Sequence, residues 1–280
     1  MSSSRQQPIR RGKSAAAPTK TCHVAIIGSG LGGISAALAI INIQNEKKQS
    51  APATKYKITI YERDKTLSDR KEGYGMTLTY DPNGPLQKLG VLEEVAKRDC
   101  PSRCHYLFTA DGVVKGYFGN AFYKEEELNK RGSGQRGNLR IPRAELRSIL
   151  LKALQANDVD HNVCISWGKR LLGYVDRAMM DKLNQIGKKE CKKTSSDDHQ
   201  RPVLLTFDDG TTDEVDLLIG ADGVNSVVAK QYLQTVLPTT KTNSAAGEVV
   251  TDTSPEQIGI FIILGITNHF HPLIDERGFY

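Results

Sequence analysis

A glycine-rich segment between two apolar stretches carries the first pattern in this sequence that could do chemistry. Its glycines follow the spacing G-x-G-x-x-G within Gly28-Ser29-Gly30-Leu31-Gly32-Gly33. In such a segment the first glycine permits a tight turn, the second lets the backbone approach a pyrophosphate, and the third lets a helix pack closely against a strand. The free N–H groups and positive dipole end of a following helix favour bound phosphate. The segment therefore predicts a dinucleotide-binding turn.

An acidic residue, Glu62, stands where the ribose of a bound dinucleotide is expected. The stretch 23–27 reads as a strand before the glycines, the residues after them recur at helical spacing, and the alternating stretch 56–61 is a second strand that ends on Glu62. A carboxylate there can accept hydrogen bonds from ribose hydroxyls and would repel a 2′-phosphate, which favours FAD or NAD over NADP. The alternative is an ordinary surface glutamate at a strand end. Arg63 follows Glu62 and is included among the candidate cofactor-binding residues.

The interval between the glycines and this acid is unusually long. Glu62 follows Gly33 by 29 residues, whereas about 20 is usual in dinucleotide-binding units. Residues 44–55 are polar and contain a proline, so we expect a surface loop there. That loop accounts for the excess length.

Two further segments place polar residues where a nucleotide could bind. Asp222 and Gly223 follow a second apolar strand, at the end of a strand where open α/β sheets bind ligands. The alternative is a simple Asp-Gly turn. Arg143 begins a helix with a regular leucine and isoleucine face, and a cation opposes the helix dipole at that end. Arg143 is therefore a candidate partner for a cofactor phosphate, with a purely structural role equally open.

The remaining elements are expected to be strands and hairpins around these motifs. Residues 104–122 form one predicted hairpin with its turn at 110–112, and residues 203–219 form another with its turn at 208–210. The run 258–266 is strongly apolar but far shorter than the about 20 residues that a membrane helix needs. It is predicted to be a buried strand, and no stable membrane insertion is expected.

Composition narrows the function classes further. Five of the basic residues lie within positions 1–20, so the net charge of +6 falls to +1 for the rest of the chain, and no nucleic-acid-binding face is expected. The basic segment 1–20 is predicted to be disordered, with an organelle transit segment as the alternative. The five scattered cysteines suggest free thiols in a reducing compartment, so we expect a cytoplasmic protein or, alternatively, one of an organelle matrix. At most half of the ligands of a metal site could come from Cys100, Cys104 and His105, so no metal site is expected.

Taken in order, the motifs resemble those of FAD-dependent monooxygenases of the aromatic-hydroxylase type, with the p-hydroxybenzoate hydroxylase fold. The glycine turn with Glu62, the Arg143-x-x-Leu146 helix and the segment 220–223 with Ser226 carry this resemblance over about residues 22–280. It implies an α/β fold: a Rossmann-like FAD-binding βαβ domain over 21–280 with a partial antiparallel substrate-side sheet, to which 103–123 and 256–268 contribute. Insertions are expected near 44–55, 124–138 and 177–201.

The resemblance also implies a function. FAD would be held by the glycine turn and Glu62, with Arg143 beside it and Asp222 and Gly223 near its pyrophosphate. NAD(P)H would serve as a transient reductant, and an aromatic or other small organic substrate would be hydroxylated. The resemblance names no catalytic residue here.

Two departures from the family pattern keep other functions open. Ala229 stands where the family usually has an arginine, with Lys230 next to it, and the family's later Gly-Asp motif has no counterpart before Tyr280. The chain is therefore expected to be truncated relative to the family. A non-catalytic FAD- or nucleotide-binding remnant and a flavin-linked reductase remain as alternatives.

Overall fold

The computed structural model describes residues 21–47, 54–69, 74–99, 104–119, 138–177, 202–236 and 278–279. Its helices are α1 (Leu31–Lys47), α2 (Pro85–Lys88), α3 (Leu92–Lys97), α4 (Arg143–Asn157) and α5 (Val227–Val236). Its strands are β1 (Thr21–Ile27), β2 (Lys55–Glu62), β3 (Gly75–Leu78), β4 (Cys104–Phe108), β5 (Val114–Gly119), β6 (Leu139–Pro142), β7 (Val163–Trp167), β8 (Leu171–Asp176), β9 (Val203–Phe207), β10 (Thr212–Val215), β11 (Leu217–Gly220) and β12 (Gly278–Phe279).

A parallel sheet in the order β11-β1-β2-β7 forms the centre of the fold. β1 pairs in parallel with β11 on one side and with β2 on the other, and β2 pairs in parallel with β7. The helix α1 connects β1 to β2, so these three elements form a βαβ unit. The predicted strand, glycine turn, helix and second strand ending on Glu62 are confirmed, as is the α/β fold class.

The two faces of this sheet are covered by different layers. Alternation along β1 turns Val24 and Ile26 toward one apolar cluster, which contains the buried faces of α1 and α4. It turns Ala25 and Ile27 toward a second cluster, which contains residues of β8, β9 and β10. These three strands form an antiparallel sheet in the order β10-β9-β8. Helices therefore cover one face of the parallel sheet and a small antiparallel sheet covers the other.

The predicted loop at 44–55 is wrong over its first part. α1 continues to Lys47 and β2 already begins at Lys55, while residues 48–53 lie outside the described residues. The polar side chains at this end of α1 have specific partners that composition does not reveal. The Gln44 side-chain oxygen accepts a hydrogen bond from the Tyr56 N–H at 2.6 Å, and the Asn45 amide donates to the Asn157 carbonyl oxygen at 2.9 Å.

The predicted second hairpin is also corrected. Instead of one strand over 214–219, the chain changes sheets at Asp216: β10 pairs with β9, and β11 pairs with β1. The Asp216 carboxylate accepts a hydrogen bond from the His23 N–H at 2.7 Å, and the Asp216 N–H donates to the His23 carbonyl oxygen at 2.9 Å. This pair of bonds fixes the crossover point, so the second strand of the hairpin is shared between two sheets.

Two further small sheets are present among the described residues. β4 and β5 form an antiparallel hairpin as predicted, with β12 beside β4, and β3 pairs with β6. The predicted strand 258–266, the tail 1–20, residues 124–137 and residues 178–201 lie outside the described residues. Within the described ranges, none of the helices is long and apolar enough to cross a membrane.

Candidate dinucleotide-binding site

The three glycines of the G-x-G-x-x-G pattern, Gly28, Gly30 and Gly33, have different structural reasons for being glycine. Gly28 has a φ of +102°, and a Cβ there would lie 2.4 Å from the Ala221 carbonyl oxygen. A Cβ on Gly33 would lie 1.9 Å from the Gly28 carbonyl oxygen. At Gly30, by contrast, the nearest atom to an added Cβ is Arg143 Nη2 at 3.8 Å, an ordinary contact distance, so a Cβ would meet no clash with the described residues there. Gly28 and Gly33 are therefore needed for packing, whereas Gly30 leaves room for a ligand.

The turn is tied to both neighbouring strands of the parallel sheet. The Gly28 N–H donates to the Tyr61 carbonyl oxygen at 2.8 Å, and the Ala221 N–H donates to the Ile27 carbonyl oxygen at 2.8 Å. α1 then begins at Leu31, and its first helical hydrogen bond runs from the Ile34 N–H to the Gly30 carbonyl oxygen at 3.1 Å. The start of α1, which is the positive end of its dipole, thus lies beside Gly30.

Glu62 is buried at the end of β2, with 6% of its surface exposed. Its Oε2 accepts hydrogen bonds from the Ser29 N–H at 2.7 Å and the Ser29 hydroxyl at 2.8 Å. Its Oε1 accepts a longer bond from the Asp64 N–H at 3.1 Å. The carboxylate is therefore held in one orientation against the glycine turn, with its two oxygens in different environments.

A cleft of about 450 Å³ opens at the carboxyl ends of β1, β2 and β11. Of the predicted cofactor-binding residues, those that line it are Gly28, Gly30, Glu62, Arg63, Arg143, Asp222 and Gly223. The predicted residues that do not line it are Ser29, Leu31, Gly32 and Gly33. Ser29 and Gly33 are buried, whereas Gly32 is exposed. The fold therefore brings together at one cleft side chains from three distant parts of the sequence.

Arg143 is the first residue of α4, as predicted, and it approaches the turn at Gly30. One helical turn later, Arg147 lies on the same side and is buried, with 8% exposed. Its Nε donates to the Ser29 carbonyl oxygen at 2.9 Å and its Nη2 donates to the Ser29 hydroxyl at 2.7 Å. Sequence reasoning missed Arg147, although its position on the apolar face of α4, between Leu146 and Leu150, was a signal that it has a buried partner.

Two more cations line the cleft beyond the predicted set, Lys169 and Arg170, from the segment between β7 and β8. The Lys169 N–H donates to the Glu62 carbonyl oxygen at 2.8 Å, which fixes this segment to the end of β2. The Lys169 ammonium group contacts the Asp209 carboxylate and the Thr211 hydroxyl. Lys169 first, and then Thr211, lower the pKa of Asp209 to about 2.

Asp222 has a structural task besides its place in the cleft. Its carboxylate accepts hydrogen bonds from the Val227 N–H at 2.7 Å and from the Ser226 hydroxyl at 2.5 Å. The Ser226 hydroxyl oxygen in turn accepts a bond from the Ala229 N–H at 2.9 Å. Asp222 and Ser226 therefore cap the N-terminus of α5. Ala229 lies in the first turn of that helix.

Tyr61 borders the cleft, and its side chain packs on the face of the parallel sheet that the β10-β9-β8 sheet covers. It stacks on Phe207 with ring centroids 4.5 Å apart and donates a hydrogen bond to the Asp213 carboxylate. Burial, followed by the hydrogen bond to Asp213, raises the pKa of Tyr61 well above its usual value. This pair links β2 to β10, so Tyr61 holds two layers together at the edge of the cleft.

The cleft holds no cluster of metal ligands in the part of the chain that the structure describes, where no three His, Cys, Asp or Glu side chains are grouped. Cys22 and Cys164 are not joined in disulfide bonds. A second cavity, of about 580 Å³, lies between α4 and β7 and contains none of the predicted cofactor-binding residues.

Sequence comparison finds relatives among oxidative enzymes. Over 212 residues the chain is 26% identical to YetM of Bacillus subtilis, whose name assigns it to the FAD-dependent monooxygenases, covering 76% of this chain and 45% of that protein. It is 22% identical over 216 residues to a 6-hydroxynicotinate 3-monooxygenase of Pseudomonas fluorescens, covering 77% of this chain and 44% of that protein. A salicylate hydroxylase of Sarocladium schorii is 26% identical over 231 residues, covering 80% of this chain and 39% of that protein.

Structure comparison finds flavin-dependent oxygenases. The monooxygenase PieE, solved with FAD and substrate, has a TM-score of 0.49 at 20% identity and is matched over 77% of this chain and 32% of that chain. A tetrameric form of 2-methyl-3-hydroxypyridine-5-carboxylic acid oxygenase has a TM-score of 0.47 at 20% identity, over 76% and 42% of the two chains. No protein-family model matches the sequence. The chain spans less than half the length of the curated relatives named above. Their names confirm the resemblance to FAD-dependent monooxygenases.

Proposed function

We propose that this chain, a relative of the FAD-dependent monooxygenases, binds FAD in the cleft at the end of its parallel sheet. The observation that carries the proposal is the uncrowded backbone of Gly30, which lines the cleft between the start of α1 and the Arg143 guanidinium group. A backbone without a Cβ, the positive end of a helix and a cation are what a pyrophosphate requires. The described residues therefore fit the cofactor that the resemblance implies.

The residues that would hold the ADP half of FAD follow from this arrangement. The backbone at Gly30 and the Arg143 side chain would bind the pyrophosphate, and the first turn of α1, which contains Leu31 to Gly33, would contribute the positive end of the helix dipole. Glu62 would accept a hydrogen bond from a ribose hydroxyl. Arg63, Asp222 and Gly223 would complete the walls of the cleft. The carboxylate of Asp222 already caps α5, so its contribution would be to position Gly223 and the following loop.

We further propose that the protein acts as an NAD(P)H-dependent flavoprotein monooxygenase on an aromatic or other small organic substrate. When bound, FAD supplies the redox and oxygen chemistry of such enzymes, while the protein supplies binding, orientation and exclusion of water. The names of the relatives support this reaction class, and two of them concern a hydroxylated pyridine or benzene ring.

Turnover is tested with the purified chain supplied with FAD, NADH or NADPH, and a panel of aromatic acids under labelled oxygen. A monooxygenase incorporates one labelled oxygen atom into the product. Oxidation of NAD(P)H without a labelled product would favour a flavin-linked reductase. FAD binding with neither activity would favour a non-catalytic nucleotide-binding protein and would contradict the proposed reaction.

We also propose a cytoplasmic protein with a small-molecule substrate and no stable membrane insertion. No nucleic-acid partner is proposed, because the charge outside residues 1–20 is nearly balanced. The alternative is an organelle matrix. Microscopy of the chain fused at its C-terminus to a fluorescent protein tests this location. Fluorescence confined to an organelle, and lost when residues 1–20 are deleted, would establish the alternative.

A further inference from the structure

We propose that Arg147 is a positioning residue for ribose recognition, acting on the cofactor through Ser29 and Glu62. The inference rests on the proposed function, because it assigns to Glu62 the ribose of a bound adenine nucleotide. Glu62 lines the cleft, whereas Ser29 and Arg147 do not. Arg147 therefore has to act through its neighbours.

The direction of the hydrogen bonds shows how that action is transmitted. A guanidinium group has donors only, so the Ser29 hydroxyl oxygen must accept the 2.7 Å bond from Arg147 Nη2. The hydroxyl hydrogen of Ser29 is then directed toward Glu62 Oε2, 2.8 Å away. The second bond of Arg147, from Nε to the Ser29 carbonyl oxygen at 2.9 Å, fixes the backbone of the same residue. Arg147 thus holds Ser29 by a two-point contact.

This contact determines which oxygen of Glu62 is presented to a ligand. Oε2 accepts two bonds from Ser29, at 2.7 Å and 2.8 Å, whereas the bond that Oε1 accepts from the Asp64 N–H is longer, at 3.1 Å. Holding Oε2 against Ser29 fixes the orientation of the whole carboxylate, and we assign Oε1 as the acceptor for a ligand in the cleft. A carboxylate fixed in this way discriminates between a ribose that has a 2′-hydroxyl group and one that lacks it.

Burial and charge support the same assignment. Glu62 and Arg147 are 6% and 8% exposed, and Ser29 between them is 1% exposed. A buried carboxylate and a buried guanidinium in one hydrogen-bonded group offset each other's cost of leaving water. Removing only the cation loosens Ser29 and leaves the carboxylate in a less favourable site.

The test compares ADP with 2′-deoxy-ADP as ligands, measured by calorimetric titration of the full chain. Wild type should prefer ADP by about tenfold or more, the effect of one hydrogen bond to a charged acceptor. In Arg147→Met this preference should fall to about threefold or less, because Glu62 is no longer held for the 2′-hydroxyl group. In Arg147→Lys, which keeps the positive charge but donates from one nitrogen only, the preference for ADP should be partly restored.

A control variant on the same helix separates positioning from general loss of affinity. Arg143→Met removes a cation beside the phosphate site, so it should weaken ADP and 2′-deoxy-ADP by the same factor and keep the preference. If Arg147→Met does not fold, as judged by circular dichroism, Ser29→Ala tests the same link and should lower the preference several-fold.

The possible outcomes are distinguishable. A wild-type preference that survives in Arg147→Met or, where that variant does not fold, in Ser29→Ala overturns the positioning role and leaves FAD binding standing. Equal binding of ADP and 2′-deoxy-ADP by wild type overturns the positioning role in the same way. If wild type binds neither ADP nor FAD, the proposed function itself fails, and the positioning role with it.

Discussion

At the residue scale, the glycine turn separates two kinds of requirement. Gly28 and Gly33 leave no room for a Cβ because a backbone oxygen occupies the space, at 2.4 Å and 1.9 Å respectively. Gly30 has no such neighbour among the described residues. A methyl group at Gly30 would point into the cleft, so Gly30 is the position where binding and stability are separable.

We expect Gly30→Ala to abolish or strongly weaken FAD binding while lowering the free energy of unfolding by less than about 1 kcal/mol, the cost of a poorer helix cap. Gly33→Ala should instead cost about 1–3 kcal/mol or more, because its methyl group collides with backbone. Urea unfolding and FAD titration of both variants check this pair. Unchanged FAD affinity in Gly30→Ala would mean that the cofactor does not pass this position.

Tyr61 predicts a response of stability to alkaline pH. Its pKa is raised in the folded protein by burial and by Asp213, so the folded state retains the phenolic proton after the unfolded state has lost it, above about pH 10. The stability linked to Tyr61 is therefore complete below about pH 10 and falls as the pH rises further. Tyr61→Phe should lose less stability than wild type between about pH 9 and pH 11. Urea midpoints at the two pH values measure this, and equal losses in both proteins would exclude the role of Tyr61.

At the scale of elements, the Asp-Gly motif before α5 has a structural role besides its predicted role in a cofactor site. The sequence predicts that the Asp-Gly motif is part of a cofactor site, and its aspartate also caps α5 together with Ser226. Both tasks are compatible, since capping fixes the loop that carries Gly223. Only the capping role predicts an effect of this motif on the stability of the chain without ligand.

Ser226→Ala should lower the free energy of unfolding by about 1 kcal/mol without FAD, because the Ala229 N–H loses its acceptor and Asp222 loses a donor. Ser226→Thr should retain most of the wild-type free energy of unfolding. Chemical unfolding of the chain without FAD measures the effect. If Ser226→Ala is as stable as wild type, the hydrogen bonds of Ser226 contribute nothing to the stability of α5.

Elements whose sequence pattern reflects local contacts could be predicted, and those set by distant partners could not. The strand before Gly28, the helix after it and the helix from Arg143 follow from apolar periodicity and glycine spacing. The end of α1 did not, because Gln44 is satisfied by Tyr56 from β2. The sheet change at Asp216 depends on His23, 193 positions away in the sequence. Arg147 was missed for the same reason, since its partner Ser29 is 118 positions away.

At the scale of the whole molecule, the cleft lies where strands of one parallel sheet end together. β1 delivers the glycine turn, β2 delivers Glu62 and β11 delivers Asp222, because all three run in the same direction. Helices pack on one face of this sheet and an antiparallel sheet packs on the other. A ligand in the cleft would therefore contact several elements at once and stabilise the folded chain as a whole.

Bound FAD should raise the thermal stability of the chain with increasing concentration. Mass action predicts a gain of about 2.7 kcal/mol at a free ligand concentration about 100 times the dissociation constant. Thermal unfolding followed by circular dichroism, with and without FAD, checks this, with FMN as the control because it lacks the AMP moiety of FAD. A stabilisation as large with FMN as with FAD would place the binding determinants outside this cleft.

Equilibrium titration of the purified chain with FAD measures whether the cleft binds FAD through its ADP half. We predict saturable binding to wild type, followed by the change in flavin absorbance, and an affinity at least about tenfold lower for Glu62→Ala, which loses a charge-assisted hydrogen bond. Lys169→Ala, which alters a cleft residue whose ammonium group contacts Asp209, should change the affinity much less. Absence of FAD binding to wild type, or a dissociation constant for Glu62→Ala equal to that of wild type, would show that the cleft does not bind FAD in this way.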